Sequence, residues 1–177
     1  MIPISLSGFS LIKERIFFRG APVENIFGIE PLAEELKFSN CFSNFALCSV
    51  LLRKYLSYFD IDTYSYIPDR LTEGYGPNLK AIDKIKAKKT SLLIMVDCGT
   101  NSHEIISYVK KNKMDLIIID HHKSYEKHIN ILALINPNSV FDSSGYGFLC
   151  STGLTFIFIN YLQKLFKLKN FLSILFI

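Results

Sequence analysis

Apolar residues recur at helical spacing across residues 45–59, at Leu47, Val50, Leu51, Leu52, Tyr55, Leu56 and Phe59, which predicts an amphipathic helix. Residues 61–67 alternate and are rich in β-formers until Pro68, which predicts a strand followed by the polar, glycine-containing loop 69–76. A helical pattern over 79–88 leads to Leu92-Leu93-Ile94-Met95-Val96, an unbroken apolar run of strand length that stops at Asp97-Cys98-Gly99. The pattern then repeats: a helix over 102–112 with Ser102 as its N-cap, and the run Leu116-Ile117-Ile118-Ile119 ending at Asp120-His121-His122. A short strand over 131–135 runs into Asn136-Pro137-Asn138, and a Ser/Gly-rich loop at 143–147 precedes a last helix from about Ser151. Upstream, residues 1–37 read as an irregular arm with a short helix around 32–36.

Strand runs without polar alternation are those of strands buried on both faces, which is the signature of a parallel sheet. With helices alternating between them, the expected fold class is α/β, a mostly parallel sheet flanked by helices. In such sheets ligands bind beyond the carboxyl ends of the strands. Asp97 and the Asp120-His121-His122 triplet both occupy that position, and a right-handed crossover sets their strands at or near adjacency. Carboxylate oxygen with imidazole nitrogen suits Mn²⁺ or a similar borderline cation, and a two-ion site of this kind clamps the attacking and leaving oxygens in phosphoester hydrolysis. The plainer alternative is that an Asp closing a strand caps a helix or forms a turn, and that one of two adjacent histidines is merely surface.

Composition narrows this only a little. The 177 residues suffice for one domain with a sizeable core. Lys and Arg exceed Asp and Glu by 20 to 16, which would suit an anionic partner but is equally common without one. The four cysteines, Cys41, Cys48, Cys98 and Cys150, form neither a CxxC pair nor a zinc spacing, and no signal peptide opens the chain, so reduced thiols in a cytoplasm are the simplest account. The apolar tail is interrupted by Asn160, Gln163, Lys164, Lys167, Lys169 and Asn170 before the roughly 18 apolar residues a membrane span needs.

Val96-Asp97-Cys98-Gly99 followed by Ile118-Ile119-Asp120-His121-His122 resembles motifs II and III of the DHH phosphoesterase superfamily. The loop Ile67-Pro68-Asp69-Arg70-Leu71-Thr72-Glu73-Gly74-Tyr75-Gly76 is similar to one in the RecJ group of single-strand-specific DNA exonucleases. Ile135-Asn136-Pro137 and Leu149-Cys150-Ser151-Thr152-Gly153 resemble later segments of that group, in the same order. The resemblance implies metal-dependent 5′-to-3′ hydrolysis of single-stranded DNA with Mn²⁺ or Mg²⁺, in DNA repair and recombination, without a small-molecule cofactor or a membrane. It makes Asp97 and His121 metal ligands, Asp97 bridging two ions, with His122 facing the scissile phosphate and Asp120 an orienting neighbour. Arg70 would contact a substrate phosphate, or else pair with Glu73 inside its own loop.

The chain also departs from the family. Motif I, a strand ending in Asp-Tyr-Asp-x-Asp-Gly, is replaced by Phe38-Ser39-Asn40-Cys41-Phe42-Ser43-Asn44, and no acidic residue stands between Glu35 and Asp60. Motif IV and the second domain have no counterpart, and the stretch from Leu165 to the end is unfamiliar, which a truncated or decayed reading frame would explain. Two metals about 3.5 to 4 Å apart repel each other strongly unless anionic ligands surround them. The expectation is an N-terminal arm (1–37), a partial DHH domain (38–163) and a divergent tail (164–177), with impaired activity. The alternative is a non-catalytic remnant that binds nucleic acid or metal. Loss of the motif I strand is also expected to leave the strands at 61–67 and 92–96 without a partner.

Overall fold

The computed structural model describes residues 2–4, 44–59, 61–69, 71–74, 76–126 and 131–166. The expected helix at 32–36, the segment 38–43 and the tail beyond 166 lie outside them, as do Arg70 and Tyr75. In chain order the elements are β1 (Ile2–Ile4), α1 (Asn44–Ser57), α2 (Leu79–Ala87), β2 (Leu92–Val96), α3 (His103–Lys111), β3 (Asp115–Ile119), β4 (Ala133–Ile135) and α4 (Ser151–Leu165).

The buried runs form the sheet. Its strand order is β1-β2-β3-β4, with β2, β3 and β4 parallel. Leu92 pairs with Asp115 and Val96 with Ile119, so β2 and β3 end level with one another; Ile119 in turn pairs with Ile135 of β4. Because side chains alternate across a strand, each run feeds two cores. Leu92, Ile94, Val96, Ile117 and Ile119 pack with Leu52 and Leu56 of α1 and with Leu154, Phe158 and Leu162 of α4. Leu93, Met95, Leu116 and Ile118 pack with Ala81, Ile82 and Ile85 of α2 and with Ile105, Ile106 and Val109 of α3. The α/β layering expected from the sequence is thus present, and each fully buried aliphatic side chain contributes about 1.5–3 kcal/mol to it.

Two expectations require correction. First, β2 is not left without a partner on its outer side: β1 pairs with it antiparallel, Ile2 opposite Ile94 and Ile4 opposite Leu92. From Leu92 to Ile94 β2 is thereby paired on both sides, as a buried strand requires. Second, residues 61–67 do not form a ladder strand; the segment is extended, with one isolated bridge residue at Thr63. Its aromatic side chains hold it instead. Tyr64 and Tyr66 pack on the α2–α3 core, and Lys88 Nζ lies 4.4 Å from the Tyr64 ring centroid. The Tyr66 hydroxyl donates to Glu73, 2.8 and 2.9 Å from its two carboxylate oxygens, and Lys84 Nζ donates to the same carboxylate at 2.8 Å.

At helix ends the local chemistry is uneven. Asn78 caps α2, its Oδ1 accepting from Ala81 N at 2.8 Å. Ser102 holds the N-cap position of α3, but its side chain makes no capping hydrogen bond.

The turn after β2 is tight. Asp97 has φ 57° and Gly99 φ 107°. A Cβ on Gly99 would lie 2.8 Å from Met95 Sδ and 3.3 Å from Met95 Cβ. Gly99→Ala should therefore destabilise the protein by about 2 kcal/mol or more, combining left-handed strain with overpacking, read as a lower urea midpoint.

Candidate functional site

The level ends of β2 and β3 put Asp97 and the Asp120-His121-His122 turn side by side. Asp97 N donates to Ile119 O at 2.9 Å, and Asp120 N to Ile135 O at 3.0 Å, so each turn is pinned to the next parallel strand.

The two carboxylates at this edge differ. Asp120 is 1% exposed, and its charge is met entirely by nearby donors. Oδ1 accepts from His121 N at 2.8 Å and His122 N at 3.3 Å, and lies 2.6 Å from His122 Nδ1; Oδ2 accepts from Thr100 N at 3.1 Å. Burial pushes its pKa up, but hydrogen bonds from Thr100 and His122 more than offset this and hold it below the ordinary carboxylate value. An imidazole whose Nδ1 donates to a carboxylate keeps Nε2 as its second, separately available nitrogen. The His122 side chain is 46% exposed, so it sits at the surface while its base is anchored.

Asp97 is not met in this way. Its Oδ1 is buried without a hydrogen-bond partner. His121 Nε2 lies only 3.2 Å from that oxygen. The two atoms are close enough for attraction but not aligned as donor and acceptor. The Asp97 carboxylate raises the His121 pKa, partial burial opposing it. A carboxylate oxygen and an imidazole nitrogen converging without bonding each other form two corners of a cation site.

Donor chemistry fits a divalent cation in kind. It does not fit in number: among the described residues no group of three His, Cys, Asp or Glu side chains is placed to hold a metal ion. Asp120 is saturated, and burial pushes the Cys98 thiol up to about 11, away from the thiolate that binds metals. Hydrolysis without further ligands would have only this half-set to work with.

Asp97, Asp120, His121 and His122, singled out in the sequence, are therefore brought to one edge, whereas Arg70 lies outside the described residues. Glu73, its possible loop partner, is held by Tyr66 and Lys84. Sequence reasoning missed the brace behind the histidines. Asn136 Nδ2 donates to His122 O at 2.8 Å and Thr100 Oγ1 at 3.1 Å; Asn138 Nδ2 donates to His121 O at 2.8 Å and Gly147 O at 3.0 Å. A Cβ on Gly147 would come within 2.6 Å of Asn138 Oδ1, so that approach needs glycine. Asn136 follows the third parallel strand, so the rule that drew attention to Asp97 and Asp120 also points to it. Thr100 has no comparable sequence signal.

Comparison with known proteins bears on this edge. The family described as "DHH family, N-terminal domain" matches residues 43–176. The single-stranded-DNA-specific exonuclease RecJ of Bacillus subtilis (strain 168) is 40% identical over 72 residues, 41% of this chain and 9% of that protein. RecJ of Escherichia coli (strain K12) is 31% identical over 90 residues, 51% of this chain and 15% of that protein. The chain thus spans a small fraction of the length of these relatives. A crystal structure of exonuclease RecJ bound to manganese superposes with a TM-score of 0.62 at 23% identity, covering 72% of this chain and 32% of that one. RecJ from Thermus thermophilus in complex with Mn²⁺ gives 0.56 at 16% identity, covering 89% and 24%. At these identities the structural likeness concerns the fold.

Removing the buried carboxylate should unravel the turn. Asp120→Ala is expected to cost about 3 kcal/mol in urea unfolding, since several donors lose their acceptor together. Because the folded pKa of Asp120 is lowered, its contribution is present above the unfolded value of about 3.9 and is lost as pH falls through the folded pKa. Asp120→Asn should flatten that part of the acid-unfolding profile.

Proposed function

This chain belongs to the DHH family, and from that premise we propose that it is a RecJ-like, metal-dependent phosphodiesterase acting on single-stranded DNA from the 5′ end, with strongly reduced turnover. The observation that carries the reading is the buried, unbonded Asp97 Oδ1 set 3.2 Å from His121 Nε2. Mn²⁺ or Mg²⁺ would be held by Asp97 and His121, and when bound would supply charge neutralisation at the phosphate and an activated water. His122, fixed through Nδ1 to Asp120, would face the scissile phosphate, and Arg70 would hold a substrate phosphate oxygen. Reduced turnover follows from the half-set of ligands among the described residues and from the neutral side chains that replace motif I.

In this reading the domain proper runs over 38–163, between an arm at 1–37 and a tail at 164–177. Its setting would be DNA repair and recombination in the cytoplasm. None of the described helices is long and apolar enough to cross a membrane. The small cation-ligand count favours a second reading, a non-catalytic remnant that retains one weak divalent site and nucleic-acid contact.

The two readings separate on a 5′-phosphorylated single strand with Mn²⁺. A residual enzyme releases nucleotides slowly, and Asp97→Ala or His121→Ala lowers that rate at least about 100-fold. Cleavage that survives both substitutions unchanged would sink the enzymatic reading; Mn²⁺ binding without cleavage would establish the remnant. Cation and proton compete for His121, whose pKa is raised, so Mn²⁺ affinity should fall as pH drops through the imidazole range. Titration calorimetry at two pH values reads this directly.

A further inference from the structure

The opposite edge of the sheet, at the amino ends of the strands, has its own chemistry. The turn from α2 into β2 carries Lys86, Lys88 and Lys89; the turn from α3 into β3 carries Lys110, Lys111 and Lys113. All six are exposed, and among the described residues no ion pair engages any of them. The two turns adjoin: Asp115 N donates to Ser91 O at 2.9 Å, and Lys86 Nζ to Asn112 Oδ1 at 2.5 Å. Asp115 is the one carboxylate in these turns.

Lysines in the last turn of a helix are ordinary complements to its dipole. Two of these lysines go further. Lys89 and Lys113 follow the C-caps Lys88 and Asn112 and have φ 56° and 57°, the left-handed position that glycine usually fills at a helix end. Both turns thus place a charged side chain where the backbone disfavours any side chain at all. Retained strain of this kind is a pointer to use.

We infer that this lysine edge binds a nucleic-acid phosphate backbone, at a site separate from Asp97 and His121. Five-residue strands set the two edges roughly 16 Å apart, so the lysines hold the polymer without touching the candidate cation site. A phosphate backbone fits better than an acidic protein segment. None of the exposed large hydrophobic residues lies in either turn, leaving no apolar anchor for a peptide, whereas polyphosphate binding needs only point charges. The inference does not depend on the hydrolytic reading.

Its test is binding of a fluorescein-labelled oligo(dT) to the full chain in EDTA, followed by anisotropy across a salt series. Lys89→Gly with Lys113→Gly should raise the urea midpoint, because strain is relieved, yet weaken binding several-fold. The slope of log affinity against log salt should fall by about 1.4, at about 0.7 per lost phosphate contact on a single strand. Lys89→Arg with Lys113→Arg should bind like the parent. Unchanged affinity and slope in the glycine variant would overturn the inference. So would polyglutamate competing as well as the oligonucleotide charge for charge, which would assign the edge to an acidic polypeptide. Failure of cleavage with Mn²⁺ leaves this measurement unaffected.

Discussion

A carboxylate taken out of water must be solvated by the protein around it, and Asp120 is the place where this chain accepts that obligation. Its oxygens gather two peptide N–H groups of its own turn, the ring of His122 and the N–H of Thr100 from the neighbouring turn. The result ties the ends of β2 and β3 together more tightly than the sheet ladder alone. The carbonyls left by the histidines are taken up by Asn136 and Asn138 from the end of β4. Three consecutive strands therefore share one polar knot at their carboxyl ends, while the apolar layers beneath hold them level.

From that knot follows the contrast between the two aspartates. Saturating Asp120 fixes the backbone of His121 and His122, and so fixes where the His121 ring stands. Asp97, in a left-handed turn whose conformation Asp tolerates better than most side chains, meets that ring without a hydrogen bond. One carboxylate is spent on structure and the other keeps a buried oxygen without a hydrogen bond, with only the His121 ring beside it. The second condition is the one a cation relieves, which is why the candidate site is centred on Asp97 although Asp120 is the more deeply buried.

The same parallel arrangement sorts charge along the domain. Helices that run back across a parallel sheet bring their carboxyl ends to the edge opposite the aspartates, and the lysines of both helix–strand turns collect there. The acidic and histidine edge and the lysine edge are thus two consequences of one topology.

Local pattern was sufficient for much of this. Unbroken runs at 92–96 and 116–119 announced buried parallel strands, the helical spacings gave α1, α2 and α3, and the position of Asp97 and Asp120 at strand ends marked the site edge. The same reading mistook 61–67 for a strand, because alternation is as compatible with aromatic side chains pinned to a neighbouring helix as with a ladder. It also left β2 without a partner, since the antiparallel pairing with Ile2–Ile4 joins segments about 90 residues apart in the chain. The sequence by itself determined the layers, the strand ends and the residues available there. Only the tertiary structure decided which carboxylate is fully hydrogen-bonded and which keeps a buried oxygen without a hydrogen bond, because that depends on inter-strand register and on the reach of Thr100, Asn136 and Asn138, distances set by packing and absent from any local pattern.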